Sequence, residues 1–154
     1  ASAPALQGTD SNTGINFGSD TVNINTGGST RATIDSSGNL KANSGFGSVT
    51  TIYGVRAWLK MYWNSGTPTI SGSGNVSSLT DTGTGVVTVN FSTNMPDVNY
   101  STCVSGDEYG STSAPLFNVG FSSRGYTTSA VTVGSTNFSG TGTDIKSLQL
   151  IVVR

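Results

Sequence analysis

The sequence predicts an all-β protein: a thin trimeric β stalk over residues 1–45, then a β-sandwich-like head over 46–154. Three observations carry this. Apolar residues recur at every second position in several short runs, and no segment keeps a helical repeat. Turn clusters such as "SGTP", "DTGTG" and "TNMPD" separate the runs at the spacing of a sandwich or barrel-like domain. The composition is polar but hardly charged, with 10% charged residues, 21 glycines and a net charge of −1 over 154 residues. Disordered chains combine polarity with high net charge and few β-branched or aromatic residues. Here Val, Ile, Phe, Tyr and Trp recur at strand spacing.

The stalk comes first. Its apolar residues are single and widely spaced: Leu6, Ile15, Phe17, Val22, Ile24, Ile34 and Leu40. In "GGSTRATIDSSGNL", Thr30, Ala32 and Ile34 alternate with Arg31, Thr33 and Asp35 between two turns. Ordering each residue costs roughly 1–2 kcal/mol, more than such sparse groups return within one chain. The segment is therefore either floppy or buried against copies of itself. Alternation argues for order and sparsity for an oligomer, so Ile24 and Ile34 are expected at a trimer interface.

The head follows. In "YGVRAWLKMYW" (53–63), Val55, Ala57, Leu59, Met61 and Trp63 share one face, and Arg56, Trp58, Lys60 and Tyr62 the other. The first face reads as core. Trp58 and Tyr62, on the second face of an already apolar strand, are expected at the trimer interface rather than as a ligand platform. Val87, Val89 and Phe91 then share a face, as do Val98, Tyr100, Thr102 and Val104. Strands are also expected over 115–121, 130–133 and 147–153. "DTGTG" (81–85) reads as a Gly-rich hairpin loop, "SGSGN" as a turn, and Pro96 as a ladder stop, since it has no N–H to donate. The lone Cys103 reads as a small buried hydrophobe.

Two longer stretches resemble bacteriophage tail-fibre and receptor-binding proteins. The first runs from Asn12-Thr13-Gly14-Ile15 through Asp20-Thr21-Val22-Asn23-Ile24 to Gly28, Arg31 and Ile34-Asp35-Ser36-Ser37-Gly38-Asn39, and is similar to a stalk module of those proteins. The second begins at Gly54-Val55-Arg56-Ala57-Trp58. It continues with Gly74-Asn75-Val76-Ser77-Ser78-Leu79-Thr80-Asp81, then Thr88-Val89-Asn90-Phe91 and Met95-Pro96-Asp97-Val98-Asn99-Tyr100, and is similar to a fibre head domain. Residues 105–144 carry no such match. The resemblance implies a C-terminal fragment of a virion fibre. Such a fibre is homotrimeric, joins other tail or baseplate proteins upstream, and attaches to a host surface glycan or lipopolysaccharide.

Chemistry of other kinds has few means here. With no His, no Ser-His or Cys-His nucleophile pair exists. The eight acidic residues sit singly beside turns, apart from Asp107-Glu108, and glycan hydrolysis needs two carboxylates facing across a cleft. One Cys and no His exclude transition-metal cages, and no calcium loop is present. The chain is therefore expected to be no enzyme, with no metal or cofactor. Seven Lys and Arg spread along the chain give no source for nucleic-acid binding, and no run is long enough for membrane insertion. If the head strands alternate up and down, the loops far from the stalk carry Asn64, Asp81, Asp107, Glu108, Tyr109, Asn137 and Phe138. These are the receptor-binding candidates, because binding residues concentrate on long loops of a rigid scaffold. Arg124 and Tyr126 fall at the opposite end. Two rival readings stay open: a bacterial adhesin or lectin-like domain, and a glycan-hydrolysing tail spike.

Overall fold

The computed structural model describes residues 5–43, 48–107, 120–136 and 140–154, without the side chains of 120–124. Its sheets are antiparallel, and no helix occurs among the described residues. The chain forms two compact units, Ala1–Tyr53 and Gly54–Arg154.

The first unit is one six-stranded meander: β1 (Leu6–Gln7), β2 (Gly14–Gly18), β3 (Thr21–Thr26), β4 (Ser29–Ile34), β5 (Leu40–Ala42) and β6 (Thr50–Thr51), each paired with the next. β6 is hydrogen-bonded to β5, which puts the division between units at Tyr53/Gly54 rather than at 45/46. The register sorts the side chains. Leu6 lies opposite Ile15, Ile15 opposite Ile24, Phe17 opposite Val22, Val22 opposite Ile34, and Ile34 opposite Leu40. One face is therefore apolar from β1 to β5, since residues directly opposite point the same way.

The other face is a ladder of amides and hydroxyls. Thr33 Oγ1 donates to Asn23 Oδ1 at 2.8 Å, and Thr30 Oγ1 to Asn25 Oδ1 at 2.8 Å. A register shift at Ile24/Asn25 sets Thr30 opposite Asn25 and skips Arg31. Thr30 thus joins the polar face, against the simple alternation expected of it. Asn25 is the unit's one buried residue among those described, while Ile24 and Ile34 stay 48% and 49% exposed. Burial here runs opposite to hydropathy.

The second unit holds two four-stranded sheets. β7 (Val55–Asn64), β8 (Thr67–Gly74), β11 (Ser101–Asp107) and β14 (Ser147–Val153) form one, in the order β11-β14-β7-β8. β9 (Val76–Gly83), β10 (Val86–Phe91), β12 (Gly120–Arg124) and β13 (Ala130–Thr136) form the other, in the order β12-β13-β10-β9. Alternate residues of both sheets meet in a single core: Leu59, Met61 and Trp63 from β7; Leu148, Leu150 and Val152 from β14; Val87, Val89, Val131 and Val133 from β10 and β13. Val55 is exposed, unlike the rest of its predicted face. A register shift between Val152 and Val153 at that end of β7 takes it out of the alternation.

β8 occupies the stretch that reads as turns. As an edge strand it tolerates Pro68, and its glycines lie under Trp58. A single residue, Asn75 at φ 56°, carries the chain from β8 in one sheet to β9 in the other. Its Nδ2 donates to the carbonyls of Arg56 and Thr93, both at 3.0 Å, and its Oδ1 accepts from Thr93 N at 2.7 Å. The side chain thereby pins the corner.

Candidate functional site

The two ends of the second unit differ in build. At the end where Gly54 enters, the chain terminus is tied down. Gly54 and Arg154 exchange backbone hydrogen bonds, and Arg154 Nε donates to Asp97 Oδ1 at 3.1 Å while its second nitrogen pairs with Oδ2. The Arg154 guanidinium, with help from the Asn99 N–H, holds the Asp97 carboxyl below the ordinary carboxylate range. Tyr126 belongs to this end. Its ring packs on Tyr100 with centroids 5.2 Å apart, and its hydroxyl meets Thr102 Oγ1 at 3.1 Å. Tyr100 is buried, which raises its phenol, and its hydroxyl donates to the carbonyls of Thr127 and Ala130. Tyr126 therefore anchors a turn.

The far end gathers several turns. Gly85 N donates to Asp144 Oδ1 at 2.7 Å, and buried Ser135 donates through Oγ to the carbonyls of Gly85 and Thr143. Gly85 has φ +70°, and a Cβ there would lie 2.4 Å from Thr143 N, so only glycine fits. A Cβ at Gly66 would lie 4.0 Å from Asp144 Oδ2, which brings the β7–β8 turn to the same place. Ser147 sits opposite both Tyr62 and Asp107. The structure thus brings Asn64, Asp81 and Asp107 to one end, with Arg124 and Tyr126 at the other. The alternation survives several crossings between sheets because each crossing also reverses strand direction. Asp81 accepts from Gly83 N at 3.0 Å and shapes its own hairpin. Glu108, Tyr109, Asn137 and Phe138 lie outside the described residues.

The outer faces of the two sheets also differ. On the β12-β13-β10-β9 sheet, outward polar residues of β9, β10 and β13 are bonded to each other: Thr88 to Thr132 at 2.8 Å, and Asn90 Nδ2 to Ser78 Oγ and Thr80 Oγ1. On the β11-β14-β7-β8 sheet, Trp58, Tyr62 and Ile151 face outward, 44%, 38% and 43% exposed. Cys103 lies in the same row as Trp58 and Ile151 and is exposed, against the buried position expected of it. Its strand turns Thr102 and Val104 inward instead.

Trp58 is held flat. A Cβ at Gly74 would lie 2.3 Å from its Nε1, and one at Gly72 would lie 3.4 Å from its Cη2. The indole therefore covers the two glycines and leaves its other face to solvent. One and two rows along, a chain of hydrogen bonds joins β11 and β14. Ser105 Oγ donates to Gln149 Oε1 at 3.3 Å, Gln149 Nε2 to Ser147 Oγ at 3.0 Å, and Ser147 Oγ to Asp107 Oδ2 at 2.9 Å. Sequence reading placed Asp107 among the candidates but missed Ser105, Ser147 and Gln149. Their signal was the outward register of 101–107 and 147–153, legible only once these strands are known to be neighbours. Comparison of the chain with protein families, characterised proteins and solved structures finds no match.

Proposed function

We propose that this chain is a component of a phage tail fibre, located in the virion, that attaches the particle to a glycan on the host cell surface as a homotrimer. The first unit is the stalk and the second a β-sandwich-like head. The observation that carries the reading is the first unit's uncovered apolar face. Leu6, Ile15, Phe17, Val22, Ile24, Ile34 and Leu40 lie on one side of a single sheet, and five of the seven, all but Ile15 and Val22, are about half exposed or more. Such a surface calls for cover. Copies of the same sheet around a closed axis cover it without leaving an open end, and the resemblance of residues 12–39 to fibre stalks favours three. The resemblance of the head to fibre heads supports attachment. An adhesin would carry the same polar β composition without needing a threefold stalk.

Sedimentation equilibrium at micromolar concentration tests the assembly, with three chain masses expected and a clean monomer overturning it. Adsorption of labelled protein to a panel of bacterial cells tests attachment. Incubation with the bound polysaccharide should release no new reducing ends, and their appearance would favour the tail-spike reading.

A further inference from the structure

We propose that the outer face of the β11-β14-β7-β8 sheet is a binding platform for a neutral oligosaccharide, with Trp58 as the stacking surface. The proposal names the ligand class and place for the attachment reading above and rests on that reading for its biological meaning.

Three features carry it. The first is the seat of Trp58. A pyranose presents a face of C–H groups that packs on an aromatic plane, which requires a ring lying parallel to the protein surface with one side free. Gly72 and Gly74 provide this, since a side chain at Gly74 would collide with the indole. The ring is thus ordered before any ligand arrives, which lowers the entropy cost of binding. The second is the hydrogen-bonded chain Ser105–Gln149–Ser147–Asp107. Each group is partly or fully exposed yet already oriented by its neighbour. It lies on the face within two rows of Trp58, about 7 Å per row, a distance that two linked sugar rings span. Aromatic surface with a few convergent polar groups is the usual make-up of a ligand site. The third is charge. Lys60 and Asp107 are the charged residues of these three rows and cancel, so the rows suit an uncharged ligand, with exposed Arg56 beyond them on the same strand.

A second copy of the chain is the rival occupant of this face. It accounts less well for a polar chain lying exposed beside the tryptophan, because interface cores are depleted in such groups.

The experiment uses the full chain on an array of neutral and N-acetylated hexose oligosaccharides, followed by titration of the tightest binder. Trp58→Ala should weaken binding about tenfold or more, as truncation of a central aromatic anchor does. Gly74→Ala, which keeps Trp58 but displaces its ring, should weaken it comparably. Gln149→Ala, on the surface, should weaken it severalfold while keeping oligomer mass and melting temperature, and it decides the matter if Trp58→Ala fails to fold. Binding to no array member, or equal binding by wild type and variants, overturns the proposal. Loss of oligomer mass in folded Trp58→Ala also overturns it and assigns the face to a second copy. Adsorption to cells without array binding removes the platform and leaves the attachment reading intact. Array binding through Trp58 without adsorption to any cell does the reverse.

Discussion

The two units of this chain handle apolar side chains in opposite ways. In Gly54–Arg154, two sheets turn Leu59, Met61, Val87, Val89, Leu148 and Leu150 toward each other, and these residues are essentially inaccessible to water. In Ala1–Tyr53, one sheet buries Asn25 and leaves Ile24, Ile34 and Leu40 about half exposed. The alternating pattern is the same in both. What differs is whether the chain supplies a second layer. A sheet with a partner layer converts alternation into a core, and a sheet without one leaves its apolar face exposed.

This contrast can be broken most directly at the stalk. Replacing Ile24 and Ile34 together with Lys puts two charges on the uncovered face, where burial would require desolvating them. On the proposed homotrimer, we expect assembly to be lost outright, with sedimentation mass falling from three chains to one while the second unit retains its β-sheet circular dichroism. Retention of the oligomer would move the contact to another surface. The next largest effect belongs to the head core. Leu150→Ala removes a buried side chain between two neighbouring strands and should cost about 2–5 kcal/mol. Because that core lies within one chain, the loss should be the same at low and high protein concentration. If the first unit assembles as proposed, its transition should by contrast rise with concentration, as mass action requires of any state that needs partners. Differential scanning calorimetry at two concentrations separates the two.

The smallest effect concerns the pinned C-terminus. The folded Asp97 carboxyl is held below its ordinary range by Arg154 and the Asn99 N–H. The folded head therefore prefers the ionised form. The resulting stability is complete above the unfolded value of roughly 4 and is lost as pH falls through the lower folded value. Both side chains keep about a third of their surface in water, so solvent screens the pair and the effect is small. Asp97→Asn should remove this part of the acid destabilisation and leave the melting temperature near neutral pH slightly reduced, as thermal melts between pH 2 and 7 would show.

How much of this was legible in the sequence depends on the kind of residue. The inward set of β7, β10 and β14 follows from period two alone, because Leu, Met, Val and Trp at alternate positions have one apolar side to bury. A turn within 81–85 follows from its glycines, though β9 runs on to Gly83 and the turn itself is Thr84-Gly85. The strand β8 does not follow, because "SGSG" has turn composition and becomes a strand by pairing at an edge beneath Trp58. Cys103 and Tyr126 were placed by neighbours far away in sequence, β14 beside Cys103 and Tyr100 beneath Tyr126, and Thr30 by a register shift that skips Arg31 and turns it to the polar face.

Local sequence thus determined which residues share a face and where most strands turn, in a chain with no histidine and few charges. Only the tertiary structure decided which faces are covered. It paired two sheets in the second unit and left one alone in the first, and it set Gln149, Ser147 and Asp107 in a row beside a tryptophan lying on glycine. The physical reason is that alternation is a property of one strand, whereas burial and hydrogen-bonded rows belong to the set of strands that happen to lie side by side.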